Sequence, residues 1–431
     1  MRRAWLAVCA LAVACGSRDD KPPAREGSNP TPAKDAQAQV RADHFDGNVL
    51  VILVDTVRAD RLGVAGYRRN GKSITPRLDA FAETATRFTR AHAHGANTPR
   101  SLPSLLTSRM PSQIAFQKSF HNFPSLLDSN VLLFEVLSAA GLRTISESSH
   151  FYFDPRRGVG QGVTAYDNSG ARTLVDGNLD YAAPRIVPRV LDGLERSAKR
   201  GERFAMLVHL FEPHSTYIEH PAFPIAAKGE AGLVEKYDAE IAVVDGWVGR
   251  ILDALDQHHL ADRTLVVVLS DHGEAFGVHR FRGERAFFHG QTLYEEILRV
   301  PLLVRLPGTR PSVRDELVGL VDVAPTIVDA LGLPAPDSFV GRSLLPALRG
   351  EAVPPRPVLA EIQPTPDIDD SIRAFVTADG SEKIIVSEGG KHVETYDLAR
   401  DPDELKDLSA AEPDRVARLR AALDRWTDNL R

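Results

Sequence analysis

Cysteine is nearly absent from this 431-residue chain: it has two, Cys9 and Cys15, both at the extreme front. Everything after them therefore holds no disulfide framework, no thiolate metal site and no cysteine nucleophile. A surplus of positive charge is missing as well. The formal net charge is −6, which argues against a nucleic-acid partner. The front apolar run, Ala4 to Ala14, falls short of the ~20 residues that a bilayer-crossing helix needs. What is present, 43% hydrophobic and 26% charged residues, is the composition of a globular protein with a sizeable core.

Arg2 and Arg3 ahead of that short apolar run fit an export signal. The segment Leu11-Ala12-Val13-Ala14-Cys15 resembles a bacterial lipoprotein box, in which the cysteine is acylated. The resemblance implies a signal over 1–15 and a protein held at the periplasmic side of the envelope or at the cell surface. Residues 16–45 carry Pro22, Pro23, Pro30 and Pro32 among small and charged residues and read as a disordered tether. Membrane contact is expected only through the lipid anchor.

The body, 46–350, reads as α/β. Asn48–Val54 is a continuous apolar, β-branched run suited to a strand buried on both faces of a parallel sheet. Similar runs recur at Phe204–Phe211, Thr264–Leu269 and Val300–Leu306, with helical stretches such as Tyr237–Gln257 and Thr326–Leu331 between them. Strands alternating with helices predict a mostly parallel sheet flanked by helices, and its ligand site belongs beyond the carboxyl ends of the strands. A smaller α+β subdomain follows over 351–431. It reads as a hairpin through Asp379-Gly380 and a closing amphipathic helix, Glu412–Leu430.

Polar clusters stand at those strand ends: Asp55-Thr56, Glu212-Pro213-His214 and Ser270-Asp271-His272. A hydroxyl-rich segment, Thr98-Pro99-Arg100-Ser101 through Ser108-Arg109, comes between the first two. With Val54–Gly63, Leu293-Tyr294-Glu295-Glu296 and the tail Asp401-Pro402-Asp403-Glu404-Leu405, their order resembles the sulfatase family of the alkaline phosphatase superfamily.

That resemblance implies Asp55, Asp271 and His272 as metal ligands, joined by the oxygen of the nucleophile. It places the nucleophile ten residues before Ser108, at Thr98. Sulfatases carry there a cysteine or serine that is oxidised to formylglycine, and threonine does not yield that aldehyde. A second register puts Ser101 in that place. Thr56 stands where sulfatases have a second Asp, so that ligand is lost or supplied by Glu212 or water. His214 and His289 match positions near the leaving group and suit proton transfer. Arg100 suits an anionic ester oxygen. His279 is a weaker candidate for the same work. Arg58 with Asp60, Glu240, Asp245, Glu295, Glu296 and Asp322 read as scaffold, and His92 and His94 as loop packing.

The expected cofactor is a divalent cation. A shell of two carboxylates, one imidazole and a hydroxyl favours zinc or manganese over calcium or magnesium, which prefer oxygen alone. The expected partner is an anionic ester substrate, with no nucleic acid and no obligate protein partner. The expected reaction is hydrolysis of a phosphate or sulfate ester through metal-activated Thr98, with a phosphodiester or phosphonate ester favoured. Three alternatives stay open: a sulfatase using Ser101 or unmodified Thr98, a phosphoryl-alcohol transferase, and a non-catalytic binder of anionic glycans or lipids.

Overall fold

Seven consecutive buried residues, Asn48–Val54, form strand β1 at the heart of an eight-stranded sheet. In chain order the strands are β2 (Thr86–His92), β3 (Arg143–Glu147), β4 (Ala165–Asp167), β5 (Phe204–Leu210) and β6 (Thr264–Leu269). A separate hairpin, β7 (Ala275–Phe281) and β8 (Glu284–Phe288), precedes β9 (Arg299–Arg305) and β10 (Ser312–Gly319). The order across the sheet is β10-β2-β9-β6-β1-β5-β3-β4. The computed structural model describes residues 44–117, 123–148, 150–169, 181–365 and 368–428. The expected signal and nearly all of the expected tether lie outside them, and among the described residues no helix is long and apolar enough to cross a membrane.

β1 pairs in parallel with β5 on one side and β6 on the other, as its unbroken apolar run predicts. Alternation sorts its side chains into two cores. Val49, Val51 and Leu53 join one, Leu50, Ile52 and Val54 the other. Among the helices, α1 (Pro76–Ala82), α2 (Thr98–Thr107), α3 (Ala183–Arg200), α4 (Gly229–Gln257) and α5 (Val323–Ala330) serve this body. Asp245 on α4 accepts from the backbone of Arg77 and Leu78 at 2.9 and 2.8 Å and so caps α1, the scaffold role expected of it.

Three expectations shift. The run at Val300–Leu306, expected to be parallel, is β9 and lies antiparallel to both β6 and β2. Between β6 and β9 come a hairpin and a single turn, Glu295–Leu298, and no crossover helix of the length that a parallel return needs. α4 starts at Gly229 and not at Tyr237, because Gly229 and Gly232 weaken its first turns as a sequence signal. α5 likewise begins earlier than the expected Thr326, at Val323, with Pro325 in its first turn.

Beyond the main sheet, β11 (Val358–Ile362), β12 (Ile372–Val376), β13 (Glu382–Ser387) and β14 (His392–Asp397) form an antiparallel sheet in sequential order. The closing helix α6 (Pro413–Asp428) lays Leu419 and Leu423 against Phe375 and Ile384 of that sheet. The last residues of its expected span, 429–430, lie outside the described residues. Lys383 of β13 is fully buried and bonds Glu295 Oε1 at 2.9 Å and Glu404 Oε1 at 2.8 Å, while His92 reaches the other oxygen of Glu295 at 2.8 Å. The small sheet is thus tied to the body by a buried ion cluster. Removing one partner from such a cluster leaves charge buried and uncompensated. Lys383→Ala should lower the unfolding free energy by about 3–5 kcal/mol in urea titrations followed by circular dichroism; a loss below about 1 kcal/mol would show that the cluster does not hold the sheet.

Candidate active site

Because β5, β1 and β6 are parallel neighbours, their carboxyl ends open at one place. Asp55 follows β1, and Asp271 and His272 follow β6. Their ligating atoms all lie within 4.8 Å of one another, and all three residues are buried. The structure thus brings together the three ligands expected from the sequence.

Thr98 opens α2 after extended Asn97, with proline next to fix the first turn. Its hydroxyl lies 3.4 Å from Asp55 Oδ2 and 3.3 Å from His272 Nε2. The other hydroxyls of the segment are spent on backbone. Ser101 donates to the Asp271 carbonyl, Ser104 to Arg100 and Thr107 to Pro103. Ser108 ends the helix in the left-handed region, φ 51°, where glycine is favoured. Its hydroxyl offsets that cost by donating to Val321 at 2.6 Å and accepting from Gly341 at 3.0 Å.

The donor set fits a divalent cation. Asp55 Oδ1 and Asp271 Oδ2 are buried without a hydrogen-bond partner. His272 Nδ1 lies 3.0 Å from the Gly273 carbonyl, which can only accept, so the hydrogen sits on Nδ1 and the lone pair on Nε2. Against burial, the hydrogen bond from His209 holds the Asp55 carboxyl well below the usual range. Burial and the Asp55 charge push Asp271 up to about 6. Such a pair wants a positive charge between its members.

Thr56 supplies no fourth oxygen through its hydroxyl, which donates to the Pro213 carbonyl at 2.6 Å. Nor does Glu212 replace it. Its carboxylate accepts from the backbone of Ala182 and Ala183 and caps α3, and burial raises it to about 7.

A cavity of about 670 Å³ opens over Thr98, lined by Arg100, His150, His214 and His289. Arg100 is buried, stands over the Phe116 ring at 4.9 Å and forms no ion pair with a carboxylate among the described residues. The other lining arginines are neutralised: Arg282 by Asp369 and Arg285 by Glu230. His214 stacks on Phe211 at 4.3 Å, and its Nδ1 faces the Ser215 carbonyl at 2.6 Å. His289 Nδ1 meets Glu274 Oε1 at 2.8 Å, and Tyr217 donates to Oε2 at 2.7 Å. Burial, reinforced by the neighbouring imidazoles, lowers His214 to about 4 and His289 to about 3. Both rings are therefore uncharged at neutral pH, each with one N–H and one lone pair. In His214 the hydrogen sits on Nδ1, and Nε2 is a base.

Sequence reasoning missed His150, His209, Glu274 and Tyr217. His209 lies within the buried run of β5 and His150 just beyond the short β3, where the strand-end rule points. His279 stays out of the site: it bonds Glu296 at 2.9 Å and the carbonyls of Asp403 and Glu404. Arg58 holds Asp60 and Glu296 as a structural pair, and His94 bonds the Leu359 carbonyl at 2.6 Å.

The family model Sulfatase matches residues 47–333, and one described as N-sulphoglucosamine sulphohydrolase, C-terminal, matches 283–429. In sequence the chain is similar to arylsulfatase K of Xenopus laevis, 28% identical over 224 residues that cover 49% of this chain and 40% of that protein. It is similar over a longer stretch to the ulvan-active sulfatase of Formosa agariphila, 26% identical over 344 residues, 69% of this chain and 64% of that one. The match thus spans well under half the length of the arylsulfatase K relatives. In fold it is similar to the phosphonate monoester hydrolase of Silicibacter pomeroyi, with TM-score 0.73, 19% identity and coverage of 90% and 96% of the two chains. With the family model spanning Asp55, Thr98, Asp271 and His272 and most of the chain around them, the protein belongs to the sulfatase family of the alkaline phosphatase superfamily.

Proposed function

We propose that this protein hydrolyses a singly charged phosphorus ester, a phosphodiester or phosphonate monoester, with Thr98 as nucleophile. The observation that carries the reading is the Thr98 hydroxyl, 3.4 Å from Asp55 and 3.3 Å from His272, at the edge of a three-ligand set. Asp55, Asp271, His272 and the Thr98 oxygen would hold the cation, and the imidazole among them favours zinc or manganese. Bound there, a divalent cation lowers the pKa of the hydroxyl and withdraws charge from the ester oxygen.

Among the described residues Arg100 supplies a lining guanidinium without a carboxylate partner, and it orients the anion. Thr98 Oγ1 forms the new bond to phosphorus, the bond to the ester oxygen breaks, and the proton of Thr98 ends on the leaving oxygen. Water then breaks the Thr98–phosphorus bond. Its proton passes to Nε2 of His214, the free lone pair in the wall, and returns to Thr98. His289, oriented by Glu274 and Tyr217, borders the leaving group. Structures of similar fold include phosphonate monoester hydrolases as well as sulfatases, so the fold accommodates either ester.

Sulfate ester hydrolysis at the same site is a second reading, favoured by the sulfatase names of the sequence relatives. Against it, Thr98 does not give formylglycine, and the Ser101 hydroxyl is turned to the Asp271 backbone. Mass spectrometry of the peptide holding Ser101 should find an unmodified serine; an aldehyde there would overturn the Thr98 register. Thr98→Ala should lower kcat/KM for an aryl phosphodiester or phenylphosphonate ester by at least about a thousandfold. Sulfate turnover that outlasts Thr98→Ala would count against the proposal. Stripping with a chelator should abolish turnover, and zinc or manganese should restore it where calcium does not; unchanged turnover after verified metal removal would refute cation dependence.

A further inference from the structure

We propose that His209 is a positioning residue for the cation site: it binds one oxygen of Asp55 and thereby presents the other to the ion. The inference rests on the metal reading above. In the parallel pairing of β1 with β5, His209 stands opposite Leu53. Side chains two apart on a strand share a face, so Leu53 and Asp55 point the same way, and the His209 ring comes up beside Asp55. That face of β5 is otherwise apolar, with Ala205 and Leu207 in the core ahead of it. An imidazole buried completely on such a face costs free energy unless it is hydrogen-bonded. His209 directs its Nε2 to Asp55 Oδ2 at 3.2 Å. Rings on its other side fix its orientation: Phe153 at 4.5 Å and His150 at 6.3 Å between centroids.

The two oxygens of Asp55 are thereby made unequal. Oδ2 meets His209 and Thr98, whereas Oδ1 is buried with no hydrogen-bond partner, as is Oδ2 of Asp271, and both face the His272 Nε2 lone pair at 3.5 and 3.6 Å. Rotation about the Asp55 Cβ–Cγ bond would exchange the oxygens, and the bond to a packed imidazole opposes that rotation. His209 itself is outside the Asp55–Asp271–His272 set, so it acts through Asp55. Outer partners of this kind are worth about 10–100-fold in metal affinity.

The test uses the full folded chain, stripped of metal and titrated with Mn²⁺ and Zn²⁺ by calorimetry, with the melting temperature of each stripped protein recorded. His209→Leu should bind both ions about 10–100-fold more weakly than wild type while melting close to it without metal. His209→Gln, which keeps a side-chain N–H, should recover affinity to within about threefold of wild type. A folded His209→Leu protein that binds as wild type does would overturn the proposal. If that variant does not fold, His209→Gln decides: affinity near wild type supports the donor role, and a loss beyond about tenfold overturns it. Wild type that binds neither ion would instead sink the metal reading, an outcome distinct from equal binding by wild type and variant.

Discussion

Asp55 and Asp271 carry two carboxylates into a fully buried place, where like charges repel strongly and no lysine or arginine among the described residues stands between them. Burial alone does not sustain that arrangement. It is tolerable only if a cation shares it, and the rest of the site follows from that need. Two buried oxygens are left without hydrogen-bond partners, and His272 turns its lone pair inward because the Gly273 carbonyl takes its hydrogen. The backbone provides the positions: three parallel strands end together, so one residue after β1 and two after β6 meet without any long loop.

This dependence explains which parts of the protein were legible in its sequence. Strands buried on both faces announce themselves as apolar runs, and β1, β5 and β6 were found for that reason. β3, β4 and β10, at or next to the edges of the sheet, are short or only partly buried and give no such run. β9 was found but its direction was not, because direction is set by the short hairpin connection before it and not by its own residues. In the small sheet the hairpin of β12 and β13 was legible from Asp379-Gly380, whereas the equal signal of Gly389-Gly390 between β13 and β14 went unread.

The site divides along the same line. Asp55, Asp271 and His272 stand at strand ends and are readable by rule; Thr98 needed the family resemblance, because nothing local separates its hydroxyl from those of Ser101, Ser104 and Thr107. His209 was hidden by its surroundings, one polar ring inside an apolar strand, and Glu274 by its place in a motif that was read for its neighbours. Glu212 shows the opposite error. It was weighed as a replacement for the oxygen lost at Thr56, yet it caps a helix. Residue type is shared by ligands, caps and latches, so only contacts tell them apart.

On the proposed reading the nucleophile, Thr98, departs from the cysteine or serine of the sulfatase pattern, and the scaffold accommodates that departure. The metal shell depends on backbone positions at three strands, whereas the nucleophile is a single side chain at the start of α2. Exchanging it leaves the shell intact and changes only how the covalent intermediate must be resolved. A formylglycine hydrate expels its ester by collapse to the aldehyde; a threonine ester has no such route and must be opened by water. That step needs a base near the intermediate, and a base must be unprotonated at working pH. Burial supplies that condition by holding His214 near 4, with its hydrogen fixed on the nitrogen facing Ser215. The buried, neutral histidine wall thus suits the water-opened threonine ester of the proposed reading.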